Sequence, residues 1–250
     1  MIAERDGAVV GLLMSARYVV PGGEQRNLRV IVHPDHRRQG IATRLVDTAF
    51  GQDDDGVARR AACLGSWPVG QAMLEARGFE ATRRELTMLR DAGRPVLVPA
   101  PAIRLGSVDD DDAWTALHQD GYEEGPGFTP LTDDDLALYR SEPGFRLWFA
   151  AEENALVGLC HVRPFRDGET WVNSLVVSKA RRGRGIGRAL LVHALRVLAD
   201  DGITRVHLGV REDNASAVTL YRSLGFEAIE TETVWRCPAR PLPPTSDRRR

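Results

Sequence analysis

One stretch of this chain concentrates residue types from which an anion site is built. An apolar run closes at Val177, and the turn Arg182-Gly-Arg-Gly-Ile-Gly187 follows, leading into Ile186, Leu190, Ala194, Val197 and Leu198 at helical spacing. A helix start offers unpaired N–H groups and a partial positive charge, and glycines let a phosphate approach the backbone. Lys179, Arg181, Arg182, Arg184 and Arg188 fall in the same segment with no acid among them, which suits a pyrophosphate. The spacing is neither the Gly-x-Gly-x-x-Gly of dinucleotide folds nor the Gly-Lys-Ser/Thr of P-loops, so NAD and ATP lose ground. Farther on, Asn214 and Tyr221 are nearly two helical turns apart and face the same way. A tyrosine holds its proton at neutral pH and can deliver it as a general acid. The plainer reading makes Tyr221 a packed aromatic on an amphipathic helix.

Elements must position these groups. Strands are expected at Phe145 to Ala151, Leu156 to Arg163 and Glu169 to Val177, rich in aromatic and β-branched residues and separated by turn-forming clusters, which makes an antiparallel meander. The helix from Ile186 stops at Asp201-Gly202, and Val206, Leu208 and Val210 alternate with polar residues as a further strand. Asn214 caps a helix through Leu224, and a last strand covers about Phe226 to Arg236. Upstream, Ile103 to Leu105 reads as a short strand and Asp109 to Asp112 as the solvated start of a helix. Thr132 is the expected N-cap of another helix running through Arg140.

The same unit occurs twice. Val32-His-Pro-Asp-His-Arg-Arg-Gln-Gly-Ile-Ala42 aligns with Val177-Ser-Lys-Ala-Arg-Arg-Gly-Arg-Gly-Ile-Gly187. At nearly the same offset Ala8-Val-Val-Gly-Leu12 aligns with Ala155-Leu-Val-Gly-Leu159, and Leu74-Glu-Ala-Arg-Gly-Phe-Glu80 with Tyr221-Arg-Ser-Leu-Gly-Phe-Glu227. The first copy has Leu74 in place of Tyr221 and Trp67 in place of Asn214, and it lacks a counterpart of Ile103 to Leu147. Leucine has no proton to give.

These residues resemble the GNAT superfamily of N-acetyltransferases. Arg182, Gly185 and Gly187 satisfy its cofactor loop, Gln/Arg-x-x-Gly-x-Gly/Ala, as do Arg37, Gly40 and Ala42 in the first copy. Asn214, Tyr221, Gly225 and Phe226 match its second signature, and the layout of one competent and one decayed half is similar to that of the mycothiol synthases. The resemblance implies an α/β (α+β) fold of two GNAT-like units, each a mixed, mainly antiparallel sheet flanked by helices, with the N-terminal unit incomplete. It implies acetyl-CoA as cosubstrate, with Leu175, Val176 and Val177 holding the pantetheine arm and acetyl carbonyl. Arg182, Gly183, Arg184, Gly185, Ile186, Gly187 and Arg188 then cradle the pyrophosphate, and Asn214 bonds the pantetheine. A backbone N–H such as that of Val177 meets the oxyanion, and Tyr221 protonates the departing thiolate. For the base that deprotonates the amine, Glu169 is the first candidate; His161 and His207, direct or through water, are alternatives. Glu123 and Glu124 read as a solvated loop, with an acceptor cleft for a cation as the sharper alternative.

Bulk properties bound the rest. The 250 residues carry a net charge of -2, which gives the whole chain no bias toward nucleic acid or anionic membrane. The three cysteines have no metal-ligand or disulfide spacing, so no metal is expected and a reducing cytoplasm fits. The expected organisation is a truncated domain at 1–90, a linker at 91–101, a catalytic domain at 102–237 and a disordered tail at 238–250. The acceptor is a small-molecule or peptide amine, and the chain is a monomer or homodimer. Two other readings stand beside the enzyme: a non-catalytic acetyl-CoA-binding regulatory module, and, last, an RNA-contacting protein.

Overall fold

A computed structural model describes residues 1–20, 23–52, 56–91, 102–125, 128–153, 155–164 and 169–239. Apart from Asp91, Pro238 and Ala239, the expected linker and tail lie outside the described residues. The chain divides into two compact units, Met1–Arg84 with Thr231–Arg250, and Glu85–Glu230. That differs from a boundary at residues 91–101, because the last strand of each repeat is divided between the units.

The first unit holds β1 (Ile2–Arg5), β2 (Ala8–Val20), β3 (Gly23–Val32), α1 (Ile41–Gln52), β4 (Ala58–Leu64), α2 (Pro68–Glu75) and the beginning of β5 (Glu80–Asp91). Strands β1, β2 and β3 form an antiparallel ladder, and β3 pairs in parallel with β4 over Gln25 to Leu28 and Ala58 to Ala61. The far edge of β4 is covered by the chain's last strand, Glu232 to Cys237 against Leu64 to Arg59. Val10, Leu13, Ile41, Leu45 and Val46 form one core cluster, and Leu28, Ala61, Leu74, Phe79 and Trp235 a second.

The second unit holds the rest of β5, then β6 (Ala102–Leu105), α3 (Asp111–Tyr122), α4 (Asp133–Ser141), β7 (Arg146–Glu152), β8 (Ala155–Pro164), β9 (Thr170–Val177), α5 (Ile186–Asp200), β10 (Arg205–Arg211), α6 (Ala215–Ser223) and the first residues of β11 (Glu227–Cys237). Its strand order is β5-β10-β9-β8-β7-β6, antiparallel except between β9 and β10. The mixed sheet with helices on it is the fold class that the resemblance implies. Leu190, Leu191, Leu195 and Leu198 of α5 bury against Trp148, Cys160, Val206 and Leu208. A separate cluster joins Trp114, Leu117 and Leu136 of α3 and α4 to Leu147, Phe149, Leu159 and Val176. At roughly 1.5–3 kcal/mol per fully buried large apolar side chain, these layers hold the sheet between them.

Local chemistry sets the helix starts. Thr132 Oγ1 accepts from Asp135 N–H at 3.2 Å while Asp135 Oδ2 accepts from Thr132 N–H at 2.9 Å, so the expected N-cap is a reciprocal box. The acidic run before α3 is more than a solvated helix start. Asp110 is buried, takes both guanidinium nitrogens of Arg104 at 2.8 and 2.5 Å, and is thereby held well below the usual carboxylate range; Asp111 pairs with Arg140.

The end of α3 reaches β9 closely because residue 121 has no side chain. A Cβ at Gly121 would lie 2.6 Å from Val176 Cγ1. Alanine ordinarily favours a helix interior over glycine by about 1 kcal/mol, but overpacking at this contact costs about 1–3 kcal/mol. Gly121→Ala is therefore expected to lower the melting temperature by a few degrees, as read by calorimetry; an unchanged or raised Tm would show that α3 does not depend on this approach.

Candidate active site

The site begins where two parallel neighbours separate. Strands β9 and β10 are paired only from Thr170 to Val172 against Val206 to Leu208, and no pairing joins them farther on. On its other edge β9 stays paired with β8 to Val177, and Ser178 N–H continues that ladder to Val157 O at 2.9 Å. Successive N–H groups of a strand point to opposite edges, so the amides of Leu175 and Val177 face the split. Asn173 is the extra residue in the register shift between His161↔Ser174 and Val162↔Val172, a bulge that re-aims the strand where the split opens.

Beyond β9 the turn enters α5 through Gly183 and Gly185, with φ of 78° and 80° in the left-handed region that suits glycine. Among the described residues, the backbone N–H groups of Gly183 to Arg188 donate no hydrogen bond. The first one taken is that of Ala189, to Gly185 O at 3.0 Å. Successive free amides at a helix start form a nest for an anion. The basic residues contribute less free charge than their number implies. Lys179 Nζ is held by Glu123 and Glu124 at 2.9 and 2.8 Å, and Arg181 by Glu152 at 3.1 Å. Arg182 Nε donates to Val177 O at 3.1 Å, a tie that the first copy repeats from Arg37 to Val32 O at 3.2 Å. Arg188 Nη1 donates to Ser223 Oγ at 2.8 Å, while Arg184 has no partner among the described residues. Glu123 and Glu124 are thus the counterions of Lys179 rather than a free acidic cleft.

Tyr221 of α6 is buried and lies edge-on to Phe226 with centroids 5.9 Å apart. Burial first, then the proximity of Tyr122 and Cys160, pushes its hydroxyl above the ordinary tyrosine value. Asn214 Oδ1 caps α6, accepting from Ala217 N–H at 3.2 Å and from Ser216 Oγ–H at 3.1 Å, and its Nδ2 has no partner among the described residues. The Cys160 thiol, wholly buried, is pushed up to about 12 by desolvation. Tyr122, which the sequence reading passed over, brings its hydroxyl to the Ser174 side chain and the Leu175 amide; its neighbour Gly121 is the one sequence signal of close approach.

The candidate bases are not brought to this place. Glu169 precedes the eight-residue β9, which at about 3.3 Å per residue leaves it roughly 25 Å from the Val177 amide. Its carboxylate lies instead 3.7 Å from His207 Nε2, and His207 is buried and stacked on Trp171 at 5.2 Å. The His161 ring is enclosed by Trp114, Phe145 and Tyr139 with centroids 5.2, 5.1 and 5.0 Å away. Burial first, then Arg163 and His118, lowers it to about 3, so it stays neutral and takes no proton at working pH.

The first unit contains a cavity of about 510 Å³ at the corresponding place, bordered by Arg37, Gly40, Ala42, Trp67 and Leu74. Arg37 lies over the Trp67 ring at 4.7 Å, and Leu74 is buried where the second copy has its phenol.

The acetyltransferase (GNAT) family model matches residues 112–226, and a second GNAT domain model matches residues 1–83. The mycothiol acetyltransferase of Parafrankia sp. is 32% identical over 96% of this chain and 83% of its own length. That of Kineococcus radiotolerans is 32% identical over 93% and 79%. In fold, the chain is similar to a GCN5-related N-acetyltransferase from Sphaerobacter thermophilus (TM-score 0.74, 24% identity, 95% of this chain and 80% of that one). It is also similar to a tandem GNAT protein from the clavulanic acid biosynthesis pathway (TM-score 0.73, 19% identity, 97% and 83%).

Two outcomes follow from this geometry. Gly185→Ala strains a left-handed residue by about 1–2 kcal/mol and tilts the amide nest, so affinity for coenzyme A falls by about tenfold in titration calorimetry; unchanged affinity would remove the nest from binding. Because His161 is protonated more readily unfolded than folded, wild-type stability declines as pH drops from about 6.5 toward 3, with a slope of up to about 1.4 kcal/mol per pH unit. In denaturant melts His161→Gln should flatten that slope; an equal slope would place the titration elsewhere.

Proposed function

Because this chain belongs to the GNAT family of acetyltransferases, whose members take acetyl-CoA as cosubstrate, we propose that its N-acetyl transfer to a primary amine is carried out in the second unit, at the split between β9 and β10. The carrying observation is the run of unbonded amides from Gly183 to Arg188, continuous with a strand whose Leu175 and Val177 amides face that split. Six adjacent donors with Arg184 beside them fit a diphosphate, and the unpaired edge of β9 fits the amide-bearing arm that follows it.

When bound, acetyl-CoA supplies the thioester carbonyl that a neutral amine attacks. The Leu175 and Val177 amides meet the negative charge that collects on the carbonyl oxygen, from a position that needs no rearrangement. Tyr221 holds its proton across the working pH range because burial raises it, and delivers that proton to the leaving sulfur. Asn214, its carbonyl committed to the cap of α6, offers Nδ2 to the pantetheine. With Glu169 at the far end of β9 and His161 held neutral, the amine's surplus proton leaves to water. Transfer is direct, since the Cys160 thiol at about 12 gives no nucleophile. The first unit has Leu74, with no proton to give, where the second has Tyr221. The name of the relatives, mycothiol acetyltransferase, directs the acceptor search to the amine of a small thiol, with a cysteinyl amine first. Its three cysteines are all free, which supports placing the protein in the cytoplasm.

A panel of amines with acetyl-CoA, followed by release of free thiol, tests the reading. Tyr221→Phe is expected to lower kcat by about a hundredfold and leave acetyl-CoA affinity within about twofold, with converging initial-velocity lines for the wild type. Undiminished turnover would remove Tyr221 from the proton path; binding without thiol release from any amine would make the unit a regulatory module.

A further inference from the structure

The end of α3 meets β9 and the turn that follows it through the four residues that flank Tyr122. Asp120 Oδ2 accepts from Lys179 N–H at 2.8 Å, and Gly121 permits the close approach to Val176. Glu123 and Glu124 hold Lys179 Nζ. One residue inside this clasp is not used by it. Tyr122 remains 36% exposed, so it is no ordinary core aromatic, while its hydroxyl reaches Ser174, the Leu175 amide and the surroundings of Tyr221 and Cys160.

The Leu175 amide is one of the two that face the split, so Tyr122 presents an O–H beside a backbone N–H at the same edge. We propose that Tyr122 is a second side-chain donor of the active site, its O–H joining the Leu175 N–H on the carbonyl oxygen of the acetyl group. This assignment rests on the proposed transfer at the β9–β10 split and adds a role distinct from that of Tyr221. During transfer the amine nitrogen forms its bond to the carbonyl carbon and the C–S bond breaks with its electron pair going to sulfur. The sulfur takes its proton from Tyr221, and Tyr122 keeps its own. Burial raises the Tyr122 hydroxyl above the ordinary tyrosine value, which suits a group that must remain a donor. The clasp explains why the donor is preorganised: Lys179, first in the turn after β9, ties α3 to the segment that seats the diphosphate.

The test needs no acceptor. Affinities for acetyl-CoA and for coenzyme A are measured by calorimetry in wild type, Tyr122→Phe and Tyr221→Phe, and the carbonyl resonance of bound [1-13C]acetyl-CoA is recorded for each. A lost hydrogen bond to the carbonyl weakens acetyl-CoA binding by about three- to tenfold in Tyr122→Phe and returns the resonance toward its free value, while coenzyme A binding is unchanged and certifies the fold. Tyr221→Phe moves neither. An acetyl-CoA to coenzyme A affinity ratio and a resonance equal to wild type in Tyr122→Phe would overturn the donor role and leave the proposed transfer intact. Absence of coenzyme A binding in the wild type would overturn both.

Discussion

Everything at this site follows from a strand that loses its partner partway along. A parallel pair that stayed zipped would use every second amide of β9 on β10; the pairing ends after Val172 and Leu208 instead, and the amides of Leu175 and Val177 are left on an open edge. Unpaired backbone donors in a buried setting cost about 1–3 kcal/mol each unless something takes them. The bulge at Asn173 on one side and the Arg182 tie to Val177 O on the other bracket the open edge, so the unpaired segment is built and bounded.

Charge at the site is distributed differently from its density in sequence. Of the five basic residues around the glycine turn, Lys179 and Arg181 balance acids of the protein itself, and Arg182 and Arg188 hold the turn and helix in place. What remains for an anion is mainly the backbone. Amides fixed by glycines with left-handed dihedrals keep their direction at any pH and lose no rotamer entropy when a phosphate arrives, which a cluster of flexible cations does not provide.

Much of this was legible in the residues, for identifiable reasons. The meander, α5, β10 and α6 announced themselves through period and caps, and β7, β8 and β9 fall within a residue or two of the expected strands. The turn and the Asn214 cap were equally plain, because both are local chemistry. For Glu169 the hidden variable was distance: being at the start of the central strand does not reveal that the split between β9 and β10 opens toward its other end. His161 looked reactive as a type and is inert by environment, since Trp114, Phe145 and Tyr139 come from elements distant in sequence. Tyr122 went unnoticed because its meaning depends on a clasp between residues far apart along the chain.

The division of the final strands bears on why a copy without Tyr221 or Asn214 persists. Glu85 to Asp91 are written in the first repeat yet flank β10, and Glu232 to Cys237 are written in the second yet flank β4. Neither half of the gene encodes a finished sheet. Deleting the first repeat would strip an edge from β10, the strand that borders the split, so each unit is completed by residues written in the other repeat and the pair is inherited as a single object.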